Sequence, residues 1–332
     1  MNRQEASLYF RLRVVPCSPV PPNKAMQTDG RFATAADRQG VRCQPTTPME
    51  TLPTDLQDRI TKHLRDWSVQ AEHLVKTDTS VLVFGHRGSQ PVVLKVLCTP
   101  GDEWRSGEVL ASFEGRAVVR VYAYADGALL LEQLRPGTQL AQPALAGQDD
   151  RAIDTLADMI GSMEPRQSPS FVPTVMDWAA GFDRYAATED RRIPDDLLAQ
   201  AQGIYWDLAN SQSQIRLLHG DLQHYNVLLD AQRGWLAIDA KGVLGEPAFE
   251  IGAVLRNPIE RPDLFAQASV VERRVRHFAA KLMLDEDRVL LWGFAQAVLS
   301  AIWTVEDGHS PDSADPGLLL AQTIRSMLSP LN

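Results

Sequence analysis

The stretch Leu217–Gly242, "LLHGDLQHYNVLLDAQRGWLAIDAKG", sets Asp221, Asn226 and Asp239 on short connections between apolar runs. Within it, "VLLD" and "WLAID" read as a pair of short strands. Polar side chains carried on the ends of buried segments have a fixed separation, which is what a reacting site requires.

His219, Asp221 and Asn226 have the spacing H-x-D-x4-N of a kinase catalytic loop, and Asp239 follows after the strand pair. Phosphoryl transfer from ATP needs a carboxylate to accept the proton of the attacking hydroxyl, and oxygen ligands for Mg²⁺. Asp221 suits the first task, and Asn226 with Asp239 the second. His219 is read as an imidazole that ties the loop down, and His219 with His224 does not match the helical His pair of a zinc hydrolase. A phosphate-gripping cation is expected as well. Lys95 stands in the middle of the apolar strand "VVLKVL", where an ammonium needs a partner, and Glu108 on the following helical segment is the expected one, with Glu103 and Glu114 as rivals. Neither a Walker A sequence nor G-x-G-x-x-G is present, so the phosphate cover falls to the hairpin "KTDTS" at 76–80.

The rest of the chain is consistent with a soluble globular protein of 332 residues. A formal net charge of −9 argues against nucleic acid as a partner and favours a cationic ligand. Cys17, Cys43 and Cys98 are scattered and lack metal-ligand spacing, which fits a reducing cytoplasm. Val289 to Val305 is uncharged, but Gln296, Ser300 and Thr304 draw a polar stripe along it, so it reads as a core helix and no membrane span is expected. Residues 1–50 lack apolar periodicity and are expected to be a disordered extension, without a secretory signal.

Thr54 and Gln57 have the form of a capping box ahead of a helix with Leu56, Ile60 and Leu64 on one face. Strand-like runs follow at 69–76, 80–86 and 91–97, then a helical segment over 101–115, then two strands around Asp126-Gly127. Beyond Pro136-Gly137 the periodicity is helical, at 150–162, 174–186, 195–210, 270–283, 286–305 and 315–328. The expected architecture is α+β and bilobal: a small antiparallel β lobe over 51–134, then a larger, mostly helical lobe over 135–332 that carries the catalytic loop.

"HGDLQHYNVLL", "WLAIDAKGVLGEPAFEIGAVLRNP" and "VVLKV…GDEWRSGEVL" resemble the aminoglycoside phosphotransferases, most closely the branch of streptomycin 6-phosphotransferases and hydroxyurea resistance kinases, over about 55–325. The resemblance implies a protein-kinase-like fold. It implies that Asp221 is the base, that Asn226 and Asp239 hold Mg²⁺, that Lys95 contacts the ATP phosphates, and that Glu108 orients Lys95. It further implies that the connection Leu131–Leu134, including Glu132, reads adenine through its backbone.

A streptomycin site should offer carboxylates to two guanidinium groups. Asp263, Glu306 and Asp307 are candidates in the helical lobe, with Trp303 beside the last two. Glu250 carries two readings, as a brace for the catalytic loop and as a substrate contact. The function these readings imply is ATP-dependent phosphorylation of a hydroxyl on a cationic aminoglycoside, conferring antibiotic resistance, with no obligate protein partner. The alternatives are a kinase of another small molecule such as hydroxyurea, a non-catalytic nucleotide-binding protein, and a metallophosphoesterase.

Overall fold

A computed structural model describes residues 47–309, 311 and 315–328. The expected disorder of the N-terminal segment concerns mainly residues 1–46, which lie outside the described residues. Order begins ahead of residue 51, since the Thr47 N–H donates to Leu74 O at 2.9 Å.

Helix α1 (Thr54–Asp66) buries Leu56 and Ile60. Its N-cap is Pro53 and not Thr54, so the expected capping box does not form, and Gln57 Nε2 instead donates to Leu52 O. Arg59 donates to Leu97 O and Gly127 O, which pins α1 to the adjacent sheet. That sheet comprises β1 (Gln70–Lys76), β2 (Ser80–Arg87), β3 (Gln90–Leu97), β4 (Val121–Ala125) and β5 (Ala128–Glu132), all antiparallel in the order β1-β2-β3-β5-β4. Alternation along β3 puts Val92, Leu94 and Val96 on the face beneath α1, leaving Lys95 to point the other way, toward the second lobe.

The helical segment expected over 101–115 is regular only as α2 (Ser106–Ala111). It is preceded by tight turns, with Trp104 N–H on Gly101 O and Ser106 N–H on Glu103 O, and ended by Glu114 and Gly115 at positive φ. Gly107 is needed for its close packing, since a Cβ there would lie 2.5 Å from Tyr124 Cβ.

The chain leaves β5 through Gln133 and Leu134 into β6 (Pro136–Gln139), so the expected Pro-Gly connection is itself a short strand. β6 pairs with β8 (Val227–Asp230), which pairs with β9 (Gly234–Ala237); β7 (Arg216–Leu218) pairs with β10 (Val243–Gly245). Around them stand α3 (Ala141–Leu145), α4 (Asp149–Ser162), α5 (Val175–Ala186), α6 (Asp195–Asn210), α7 (Pro247–Leu255), α8 (Ala268–Leu282), α9 (Glu286–Glu306) and α10 (Pro316–Leu328).

α9 is long and apolar enough to cross a membrane by length and composition, yet it packs against α5, α6, α7 and α10. Trp292, Phe294, Val298 and Ile302 are fully buried along it. Its polar stripe is used internally: the Gln296 amide donates to Phe249 O, wedged where Gly252 leaves space on α7. A second buried polar joint is Arg274 on α8, which meets Asp149 at the start of α4 through two nitrogens and also donates to Asn257 O.

Candidate active site

The site is built on the paired ends of β7 and β10. Leu218 lies opposite Val243, and the Gly242 N–H donates to His219 O at 2.9 Å, so the chain on either side of Asp221 and Asp239 is held together by backbone bonds. Ile238 closes the arrangement. Its N–H donates to Asn226 O at 2.9 Å, and its carbonyl accepts from His219 Nε2 at 2.8 Å. The His219 Nδ1 accepts the Asp221 N–H, which fixes the proton on Nε2. His219 is thus a fully buried strut, the role expected from sequence.

Glu250, on α7, accepts the N–H groups of Gly220 and Leu222 and so supports the loop from below. It is buried, and burial pushes its carboxyl up against these hydrogen bonds and the nearby His219. A carboxylate committed to the loop backbone has no free edge for a ligand. The substrate reading of Glu250 is therefore corrected to the bracing one.

Asn226 Nδ2 donates to Asp221 O at 2.9 Å and to Asp221 Oδ2 at 3.2 Å, and Arg256 approaches Asp221 Oδ1 at 4.0 Å. Asp239, at the end of the β9 segment, is buried with φ of 61°, a backbone region that a non-glycine residue adopts only when its surroundings require it. Lys95 Nζ reaches Asp239 Oδ1 at 2.7 Å and Glu103 Oε2 at 2.7 Å, so the three groups join the two lobes. Burial alone would pull the Lys95 ammonium down, but Asp239 and Glu103 more than offset it and hold the lysine charged, above its ordinary range. Burial pushes the Asp239 carboxyl up in turn, opposed by Lys95.

Glu108, the expected partner of Lys95, is paired with Arg105 at 2.7 Å. Glu103 takes its place because it lies in the turn before α2, whereas Glu108 in the first helical turn faces outward.

Asp239 Oδ2 is buried and has no hydrogen-bond partner among the described residues. A buried, orphaned carboxylate oxygen on a segment bonded to the Asn226 backbone through Ile238 is of the chemistry that would suit a hard divalent cation. Above it lies an apolar cleft lined by Leu82, Phe84, Val93, Leu131, Leu228 and Ile238. Glu132 and Leu134 line it too, with Lys95 and Asp239 at its inner end; residues 76–80 do not. The Glu132 carboxylate itself turns to Arg233 and the Arg120 N–H, so this residue can meet a ligand in the cleft only by its backbone.

On the acceptor side, Trp303 stands edge-on to Trp178, with centroids 5.4 Å apart, and Trp178 abuts Gly220 of the catalytic loop. Lys241 Nζ lies 5.6 Å from the centre of the Trp303 ring. Glu306 is engaged by two Arg184 nitrogens, and Asp263 by two of Arg261 beside α8, so neither presents the free carboxylate edge that the sequence reading expected. Asp307 caps the end of α9. Sequence reasoning missed Trp178, Lys241 and Arg256. Of these only Lys241, inside the "DAKG" turn, carried a signal that could have been used.

An apolar cleft between a five-stranded sheet and a helical lobe, ending on a buried Lys–Asp contact beside a second aspartate, defines a kinase-like phosphotransferase. The chain belongs to the family described as aminoglycoside/hydroxyurea antibiotic resistance kinase, which matches residues 66–308. It is an enzyme that transfers phosphoryl groups to hydroxyl acceptors. It is 34% identical over 240 residues to a streptomycin 3''-kinase from Klebsiella pneumoniae, covering 71% of this chain and 88% of that protein. It is 28% identical over 303 residues to a hydroxyurea phosphotransferase from Kitasatospora aureofaciens, covering 87% of this chain and 81% of that protein. A streptomycin 6-kinase from Streptomyces glaucescens is 28% identical over 230 residues, or 65% of this chain and 71% of that protein. Among solved structures, the aminoglycoside phosphotransferase APH(4)-Ia with AMP-PNP and hygromycin B matches with a TM-score of 0.58 at 16% identity, over 81% of this chain and 99% of that one. Choline kinase LicA from Streptococcus pneumoniae matches with a TM-score of 0.53 at 16% identity, over 82% and 98%. The fold is therefore the bilobal kinase-like one expected from the sequence.

Proposed function

We propose that this enzyme transfers the γ-phosphoryl group of ATP, with Mg²⁺, to a hydroxyl of streptomycin in the cytoplasm. The observation that carries the transfer chemistry is the Lys95–Asp239 contact across the cleft, made beside Asp221 on a shared backbone clamp. The acceptor rests on the streptomycin kinases among the relatives.

In this reading adenine lies between Leu82, Val93, Leu131 and Leu228, facing the Glu132–Leu134 backbone. Lys95, held by Glu103, contacts the phosphates. Asn226 and Asp239 would hold Mg²⁺, which neutralises phosphate charge when bound. The acceptor oxygen attacks the γ-phosphorus while the bond from that phosphorus to the β–γ bridging oxygen breaks. ADP leaves with the electron pair, and the hydroxyl proton passes to the Asp221 carboxylate. No covalent enzyme intermediate is required.

Trp178, which abuts the catalytic loop at Gly220, offers aromatic surface to a guanidinium group. Hydroxyurea is the second reading, motivated by the relative that matches 87% of this chain. The test is incubation of the purified protein with Mg²⁺-ATP and, separately, streptomycin, hygromycin B and hydroxyurea, followed by mass spectrometry and NMR of the product. One added phosphoryl group on streptomycin is expected, with NMR separating the 6 from the 3'' hydroxyl. ADP release that depends on hydroxyurea and not on streptomycin would overturn the acceptor assignment.

A further inference from the structure

We infer that Lys241 is a further catalytic residue, whose ammonium meets the phosphoryl group in transit from the acceptor side. This rests on the phosphotransferase reading and not on the identity of the acceptor. The backbone argument comes first. Gly242 is bonded to His219 O at 2.9 Å and Val243 is in register with Leu218, so Lys241 sits in the turn just before β10, across from the loop that carries Asp221. Gly242 has φ of 81° and rests on α2, where a Cβ would lie 2.8 Å from Val109 Cγ2. The turn is thereby wedged from both sides and presents Lys241 in one place.

The charge argument follows from what each cation at the site is doing. Lys95 is joined to Glu103 and Asp239, Arg256 donates to Gly252 O beside Asp221, and Arg184 holds Glu306. Lys241 makes no hydrogen bond or ion pair among the described residues. The charges that act on it are Asp221, then Asp102 and Glu103, with Arg256 as the like charge, and Trp303 offers it aromatic surface. A positive group is unsuited to recognise a cationic acceptor, and the bond from Gly242 to His219 O sets Lys241 in the turn beside the loop of the proposed base. An anion arriving between Asp221 and the nucleotide would complete its surroundings.

The transferring phosphoryl is that anion. In a loose transition state its charge spreads over three equatorial oxygens, while the bond to the β–γ bridging oxygen breaks and the bond to the acceptor oxygen forms. Lys95 would meet the phosphates from the nucleotide side, where Asp239 would hold a metal ion. Lys241 meets the same oxygens from the opposite side, where a fixed positive charge also limits repulsion between the phosphoryl and the Asp221 carboxylate.

The test compares two nucleotide complexes by calorimetry in the wild type, K241M, K241Q and K241R. ADP with fluoroaluminate imitates the phosphoryl in transit, and AMP-PNP imitates the ground state; neither needs an acceptor. For K241M and K241Q we expect an affinity loss of roughly 10²-fold for the fluoroaluminate complex, with AMP-PNP affinity within about threefold of wild type and K241R intermediate. A parallel fall in kcat, with acceptor KM little changed, is expected where an acceptor turns over. Unchanged fluoroaluminate affinity, an equal loss for both complexes, or failure of both neutral variants to fold would each overturn the inference. If the wild type forms the fluoroaluminate complex but ignores streptomycin, the acceptor assignment fails and this one stands.

Discussion

Removing Glu103 and removing Glu108 should have very different consequences. Lys95 is 2% exposed at its side chain and Glu103 19%, so their 2.7 Å contact is a charge-assisted hydrogen bond shielded from water. Such a bond contributes about 1.5–3 kcal/mol, or roughly ten- to a hundredfold in rate at about 1.4 kcal/mol per decade. Asp239 remains beside Lys95 in a Glu103→Ala variant, which keeps the ammonium charged. It does not keep the ammonium aimed, because a metal ion and its phosphates compete for the same carboxylate. The loss should therefore appear in kcat/KM for ATP. Glu108 and Arg105 are 33% and 43% exposed, and an exposed pair of this kind contributes about 0–1 kcal/mol, so Glu108→Ala should cost about fivefold at most. ADP release at saturating acceptor, with ATP varied and thermal midpoints recorded in parallel, separates the two. A tenfold loss in Glu108→Ala beside a near-normal Glu103→Ala would refute the assignment and show that Glu108 replaces Glu103 when nucleotide binds.

Three other changes probe other parts of the same structure. Asp221→Asn should lower kcat by roughly 10²–10⁴ while AMP-PNP affinity stays near wild type; turnover close to normal would remove Asp221 as the base. Asp149→Asn strips the fully buried Arg274 of its charged partner and should cost about 3–5 kcal/mol in urea unfolding. Burial pushes Asp149 up, but Arg274 and Arg273 outweigh it and leave the carboxyl below the ordinary carboxylate range. Its contribution is thus complete above its unfolded pKa and is lost as pH falls through the lower folded one, so the gap between wild type and variant should narrow below about pH 4. A gap independent of pH would contradict that linkage. Gly242→Ala should destabilise by about 1–3 kcal/mol, through a left-handed backbone and a contact with Val109, and Val109→Ala in the same chain should restore only the contact. Full restoration would mean that the backbone carries no strain.

What was legible in the sequence follows from how far apart the cooperating groups are. Asp221, Asn226 and Asp239 lie on one continuous segment whose geometry is set locally, through Ile238 bonding to Asn226 and His219 and through the pairing of Leu218 with Val243. Their roles could be read from spacing because little beyond that segment fixes them. The long helices and β1–β3 were legible for a similar reason, since apolar periodicity over many residues survives small errors of position. The partner of Lys95 was not. Its choice between Glu103 and Glu108 depends on whether the residues before Ser106 continue a helix or form separate tight turns, and the sequence pattern is compatible with both. The acceptor-side groups were hidden for a different reason. Trp178 on α5, Trp303 on α9 and Lys241 after β9 come from three distant parts of the chain, and their meeting depends on helix packing in the second lobe. Charge alone misled there as well: Glu306 and Asp263 are as acidic as any substrate ligand, but each already has an arginine within reach, which only the fold reveals. A carboxylate is a substrate candidate only when the structure leaves an edge of it free. By that criterion Glu306, Asp263 and Glu250 are better assigned to holding α9, the entry to α8 and the catalytic loop in place.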